Sequence, residues 1–193
     1  MTETKQGGFH YAWLILVACC LMYAGSMALI NSIISVYVLP VTKALGIGRG
    51  DFTFMLTTQA ISIIIAMPIW GSILNNRKIN INLALTIGAL TMIACPLMCS
   101  FATGTIMFYV AGFIGGIGMA ACFSMTAPVL VGNWFTKQYR GKMLGIASAF
   151  AGASTVFWAP LFRWIIDANG WQFAYQMNAL LMAVLILPAT LFL

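Results

Sequence analysis

Long apolar runs, broken by short polar gaps, set the pattern of this chain. The runs cover roughly Tyr11–Leu39, Phe52–Leu74, Ile79–Cys99, Thr105–Val131, Met143–Trp164 and Phe173–Leu193. Each is about the 20 residues that a helix needs to cross a hydrocarbon core about 30 Å thick. Apolar residues are continuous within a run rather than alternating, which argues against the strands of an outer-membrane barrel. Helices satisfy their own backbone groups in lipid. The pattern predicts an all-α integral membrane protein with about six transmembrane helices. Residues 1–10 are predicted to form a cytoplasmic segment and residues 11–193 one transmembrane domain.

Charge sharpens this picture. Lys and Arg number 9 and Asp and Glu 3 in 193 residues, so only 6% of the chain is charged. A soluble domain carries about a quarter. No Asp, Glu, Lys or Arg falls near the middle of a run, where each would cost about 2.5–3.5 kcal/mol. Arg163 comes nearest, close enough to a helix end for its long stem to snorkel to the interface. Alternate gaps collect Lys5, Arg77, Lys78, Lys137, Arg140 and Lys142 on one side, and Lys43, Arg49 and Arg163 on the other. The richer side is predicted to be cytoplasmic. This places the N-terminus inside a multi-pass protein of the plasma membrane. The net charge of +6 follows from this bias. No basic patch with interleaved aromatics lies outside the loops, so a nucleic-acid partner is not expected.

The first run is too long for a cleaved signal peptide, and no small-residue cleavage site ends it. Cys19, Cys20, Cys95, Cys99 and Cys122 all fall inside runs. They read as small packing residues, with neither disulfides nor a metal site predicted. No cofactor is expected. The chain has no phosphate loop, its only His is His10 at the membrane edge, and Asp51 and Asp167 lie near helix ends. Those features argue against an enzyme.

Small residues crowd the fourth run (Gly112, Gly115, Gly116, Gly118, Ala120, Ala121) and the fifth (Gly145, Ala147, Ala149, Ala151, Gly152, Ala153). Such faces allow close helix packing, and in a transport cycle they also allow sliding. Pro68, Pro96, Pro128 and Pro160 lie within or near runs, each removing a helical hydrogen bond. Tyr23, Met27 and Asn31 are spaced by four and share a helix face, continued by Ser35. The second run holds Thr57, Thr58, Gln59 and Ser62; the fifth holds Ser154 and Trp158, again four apart. Polar groups in a span face the bundle interior or a cavity. For Asn31 and Gln59, interhelical hydrogen bonding and solute contact both fit. The hydroxyls of Thr57, Thr58 and Ser62 are expected to bond their own helix backbone.

Two basic gaps carry more pattern. One reads Gly71-Ser-Ile-Leu-Asn75-Asn76-Arg77-Lys78; the other runs from Asn133-Trp134-Phe135 through Lys137 and Arg140-Gly141-Lys142 to Gly145. Topology alone accounts for their charge, and Trp134 and Phe135 suit an interfacial aromatic belt. In this order and separation, however, the two gaps resemble those of the major facilitator superfamily of secondary transporters. Its members carry a Gly-x-x-x-Asp-Arg/Lys-x-Gly-Arg/Lys-Arg/Lys loop between helices 2 and 3, and an Arg-Gly-x-x-x-Gly element leading into helix 5. Gly71, Arg77, Arg140-Gly141 and Gly145 match. Trp134-Phe135 with Lys137 and Arg140-Gly141 looks like the oxalate/formate antiporter and monocarboxylate transporter branch. So does Leu39-Pro40-Val41 with Leu45-Gly46-Ile47 at the end of helix 1. Gly170-Trp171-Gln172-Phe173-Ala174-Tyr175 is similar to the segment leading into helix 6. The chain departs from the family where Asn75 replaces an acidic residue and Lys78-Ile79 replaces a Gly-Arg element. The usual Arg early in helix 4 is also missing.

The resemblance implies two inverted three-helix units forming one half, the N-terminal half, of a major facilitator fold. Substrate would bind between halves near the midplane. Helices 1 and 4 would line the cavity and helices 2 and 5 flank it. Tyr23, Met27, Asn31, Gln59, Met119, Phe123, Ser154 and Trp158 are then the implied substrate-facing residues. Gly71, Asn75, Arg77, Lys78, Arg140, Gly141 and Gly145 are the implied gating residues. The implied function is secondary transport of a small organic anion, a mono- or dicarboxylate, by alternating access. The implied partners are that solute, the lipid bilayer and a second six-helix half or a second copy of the chain. The competing expectations are a self-sufficient six-helix dimeric channel or carrier, and a remnant that does not transport.

Overall fold

The computed structural model describes residues 17, 20, 21, 23–75, 81–121 and 137–191. These residues fold into helices and their connections, as the continuous apolar runs require. We number the helices α1 (Ala24–Leu45), α2 (Arg49–Asn75), α3 (Ile81–Ser100), α4 (Thr105–Met119), α5 (Lys137–Asn169) and α6 (Trp171–Leu191). Five are long and apolar enough to cross a membrane; α4, with 15 residues, is apolar and leads into residues outside the described set.

The boundaries differ from the sequence reading in three informative places. Helix α1 does not stop at Leu39. It passes through Pro40 and ends at Gly46, whose φ of 65° provides a left-handed cap, with Lys43 in the last turn facing the negative end of the helix dipole. Helix α5 starts at Lys137, before the predicted Met143, and runs for 33 residues. Arg140, Gly141 and Gly145 are therefore helical. Helices α5 and α6 are joined only by Gly170, whose φ is 86° and whose N–H donates to the Ile166 carbonyl at 2.9 Å. The predicted features at Phe123, Pro128, Trp134, Phe135, Arg77 and Lys78 lie outside the described residues.

Helix α1 holds a second surprise. Its segment Ala24–Ser32 is π-helical, and the Ile33 N–H donates to the Ala28 carbonyl, five residues back, at 3.2 Å. Such stretches are rare and occur frequently at functional sites.

Helix α2 packs on α4, and α5 on α1; α3 packs on α4, and α6 on α1; α3 and α6 pack on each other. Exchanging α1–α3 for α4–α6 converts the first four pairings into one another and leaves the α3–α6 pairing unchanged, as two related three-helix units would require. An aromatic layer ties together the end of the bundle where α1 meets α2, α3 meets α4 and α5 meets α6. Phe52 stands edge-on to Phe108 at 5.2 Å, and Trp171 to Tyr175 at 6.3 Å. Tyr37 stacks on Tyr175 at 4.1 Å, with Phe162 of α5 at 6.2 Å. The outer surface is apolar: Phe54, Ile61, Ile64, Ile65 and Ile69 of α2 are exposed, as are Phe150, Val156 and Phe157 of α5. Apolar side chains over that much surface suit lipid rather than water.

Candidate functional site

The site starts with the α2–α4 crossing. A Cβ on Gly112 would sit 2.6 Å from the Met55 carbonyl oxygen, and one on Gly116 2.5 Å from that of Gln59. The backbones touch there because the residues have no side chains, the arrangement small residues permit in lipid. Three side chains of α2 donate across this contact to carbonyls of α4. Ser62 Oγ donates to Phe113 at 2.6 Å, Thr58 Oγ to Tyr109 at 3.2 Å, and Trp70 Nε1 to Ile117 at 3.0 Å. Thr58 also bonds the Met55 carbonyl of its own helix at 2.8 Å, as expected. Ser62 crosses to the neighbour instead, because the glycines bring α4 within its reach. Thr57 is exposed.

On α4, Gly115 and Gly118 face α3. A Cβ on Gly118 would lie 2.5 Å from the Met92 nitrogen, and one on Gly115 2.8 Å from Cys95 Sγ. Met119 is thereby held next to α2 and α1. Gln59 Nε2 donates to Met119 Sδ at 3.3 Å, and Asn31 Nδ2 approaches the same sulfur at 3.8 Å. Gln59 is only 2% exposed. Asn31 is half-buried and lies in the π-helical segment. Three helices thus deliver two amides and a thioether, none of them formally charged, to one place.

The other sequence-predicted residues are distributed differently. Tyr23 is buried whereas Met27, one turn on, is 39% exposed, so that row is not uniformly open. Ser154 is half-buried and donates to the Ala151 carbonyl of its own helix at 2.8 Å. Trp158 packs edge-on against Phe157 at 5.2 Å and tilted against Phe162 at 6.5 Å. Neither hydrogen-bonds to the Asn31–Gln59–Met119 group. Gly71 is half-buried near the end of α2, Asn75 is its last residue, and Arg140 is half-buried in α5. Among the described residues, no atom lies near where a Cβ on Gly141, Gly145 or Gly152 would be, unlike the glycines of α4. The sequence reading missed Trp70 and Asn178. Asn178 is a buried amide in the sixth span whose Nδ2 donates to the Leu29 carbonyl at 2.9 Å. The rule that polar residues in spans face inward applies to it unchanged.

Comparison with known proteins agrees with this architecture. The chain is 25% identical over 181 residues to monocarboxylate transporter 13 of Rattus norvegicus, covering 89% of this chain and 39% of that protein. It is 22% identical over 186 residues to the uncharacterized MFS-type transporter YcxA of Bacillus subtilis, covering 93% of this chain and 43% of the relative. It is 23% identical over 134 residues to the multidrug transporter protein MdtP of Bacillus subtilis, covering 68% of this chain and 24% of that protein. The chain thus spans less than half the length of these relatives, each named as a transporter rather than an enzyme. The model of the Major Facilitator Superfamily matches residues 14–193. The chain belongs to the major facilitator superfamily.

Proposed function

We propose that this six-helix unit forms the N-terminal half of a secondary transporter that moves a small organic anion, a mono- or dicarboxylate, by alternating access. The observation that carries the site is the convergence of Asn31, Gln59 and Met119 from α1, α2 and α4. Amides in a low-dielectric interior orient a polar solute without the desolvation cost of a buried charge. The π-helical segment around Asn31 supports the same reading. Support for the anion class comes from the relative named as a monocarboxylate transporter and from the Trp134-Phe135 and Arg140-Gly141 pattern.

The amides of this unit would hold the polar end of the solute. A second six-helix unit would supply the cationic group that neutralises the carboxylate, and it would cover part of the face exposed on α5. Tyr23, Met27, Phe123, Ser154 and Trp158 complete the proposed pocket. Gly71, Asn75, Arg77, Lys78, Arg140, Gly141 and Gly145 form the proposed cytoplasmic gate, with the N-terminus on the cytoplasmic side of the plasma membrane. No covalent chemistry is involved.

The test is exchange. The chain carries an affinity tag, is purified from its native membrane with whatever second unit accompanies it, and is reconstituted into proteoliposomes loaded with radiolabelled mono- or dicarboxylates. Counterflow of at least one of these acids is expected. Absence of exchange across the series, in vesicles where the protein is folded and correctly assembled, rules the proposal out.

A further inference from the structure

Away from this site, residues of α1, α2, α3 and α6 line a partly open pocket with about 20 Å³ of room for water, among them Tyr37, Tyr175, Asn178, Cys95 and Cys99. Among the described residues, three of its polar atoms have no hydrogen-bond partner within 3.5 Å: Tyr37 Oη, Tyr175 Oη and Asn178 Oδ1. Their side chains are almost completely buried, at 1%, 4% and 3% exposure. Asn178 is pinned by its other amide atom, which donates to the Leu29 carbonyl, and the Tyr37 and Tyr175 rings are fixed by stacking. Neither constraint satisfies the atoms at the tips.

Buried polar groups are nearly always paired, and when the protein provides no partner an ordered water does. A water needs roughly 10–15 Å³ and two to four polar partners. The cavity meets both conditions. We infer that it is a binding site for one water molecule, which bridges α1 to α6. The water donates to Asn178 Oδ1, an acceptor only at that atom, and exchanges its remaining bonds with the two phenolic hydroxyls, each a donor and an acceptor. The bridge lies close to the junction at Ile33 where α1 changes from π-helical to α-helical geometry.

Radiolytic hydroxyl labelling in oxygen-18 water, on the purified protein in lipid nanodiscs, tests the inference. A buried side chain is oxidised by this method only where a water sits beside it. Tyr37 and Tyr175 should be labelled several-fold faster than Phe162, which is equally buried but does not line the cavity. Their uptake of oxygen-18 should also lag behind that of exposed Phe101. Labelling of both tyrosines as slow as that of Phe162 overturns the inference. So does labelling without a lag, which would mean open access to solvent. In Asn178→Leu the added bulk should expel the water and bring Tyr175 down to the rate of Phe162; an unchanged rate in a folded variant counts against the site. If that variant does not fold, the wild-type rates decide alone.

Discussion

The carbonyl oxygen of Gln59 lies 2.5 Å from the point that a Cβ on Gly116 would occupy. A real Cβ cannot sit there, and the obstacle is backbone, which cannot swing aside. The same residue that supplies an amide to the candidate site is therefore positioned by a glycine on the neighbouring helix. Gly116→Ala is expected to force α2 and α4 apart at a cost of about 1–3 kcal/mol, the usual range for overpacking. Gly152→Ala, which no atom of the described residues crowds, should be neutral or gain about 0.5–1 kcal/mol from better helix propensity. Thermal unfolding of the two variants in the same detergent checks the contrast. Equal melting temperatures would show that the α2–α4 contact is not the tight one described.

Ser62 and Trp70 add polar bonds to that contact, at 2.6 Å and 3.0 Å, from positions eight residues apart on α2. At about 1.5 Å per residue they are about 12 Å apart, far enough for their effects to add. Ser62→Ala and Trp70→Phe should each remove an interhelical hydrogen bond worth about 0.6 kcal/mol, with about 1.7 as the ceiling. The indole also fills space, so Trp70→Phe should be the more costly. A double variant that loses much less than the sum of the two single losses would show that the bonds act as one unit.

Much of this was legible in the runs of apolar residues. Six helices, their order and most ends follow from length and hydropathy, because lipid permits little else. Asn31 and Gln59 were legible as polar groups in otherwise apolar spans, and the structure brings them to one sulfur atom. What escaped was what depends on a neighbouring helix. The π-helical geometry of Ala24–Ser32 is not visible in the spacing, and the simple four-residue row is uneven, with Tyr23 buried and Met27 exposed. Glycines in α4 and α5 look alike in sequence. Only packing separates Gly112 and Gly116, pressed against α2, from Gly145 and Gly152, which no atom of the described residues crowds. The first apolar run ends at Leu39, yet α1 continues through Pro40 to Gly46, where the left-handed φ stops it.

Arg163 and Asp167 are four residues apart on α5 and their charged atoms approach to 3.8 Å, with both side chains largely exposed. Exposed pairs contribute little once solvent screening is counted. Arg163→Ala should leave the melting temperature nearly unchanged, within about 0.5 kcal/mol of stability. A large loss would mean that the guanidinium is held by something other than Asp167, a lipid headgroup being the natural alternative.

Gly170 is the whole connection between α5 and α6, and its φ of 86° lies where L-residues are strained. Among the described residues no atom crowds the position of a Cβ, so only the backbone penalty counts. Gly170→Ala should cost about 1–2 kcal/mol. Gly170→Asn should cost less, since Asn tolerates the left-handed region better. If both variants unfold at the wild-type temperature, the turn is not strained in the way its φ implies.

The candidate site yields the sharpest test because stability and transport should respond separately. Met119→Leu nearly conserves volume, so packing alone predicts a cost below about 1.5 kcal/mol. It also removes the acceptor of Gln59 Nε2, a buried donor 3.3 Å away. An orphaned buried donor costs about 1–3 kcal/mol, tempered here because a thioether is a weak acceptor. Asn31→Ala leaves a half-buried position with a longer contact of 3.8 Å, so its stability should change little. If Asn31 instead donates to the solute, as proposed, its loss should raise KM for the carboxylate roughly 2- to 13-fold, the equivalent of one net hydrogen bond of about 0.5–1.5 kcal/mol. Met119→Leu should then lower the melting temperature more than it alters KM, and Asn31→Ala the reverse. Transport kinetics and thermal unfolding measured on the same preparations decide it. If Asn31→Ala keeps the wild-type KM, the amide is structural and the solute binds elsewhere.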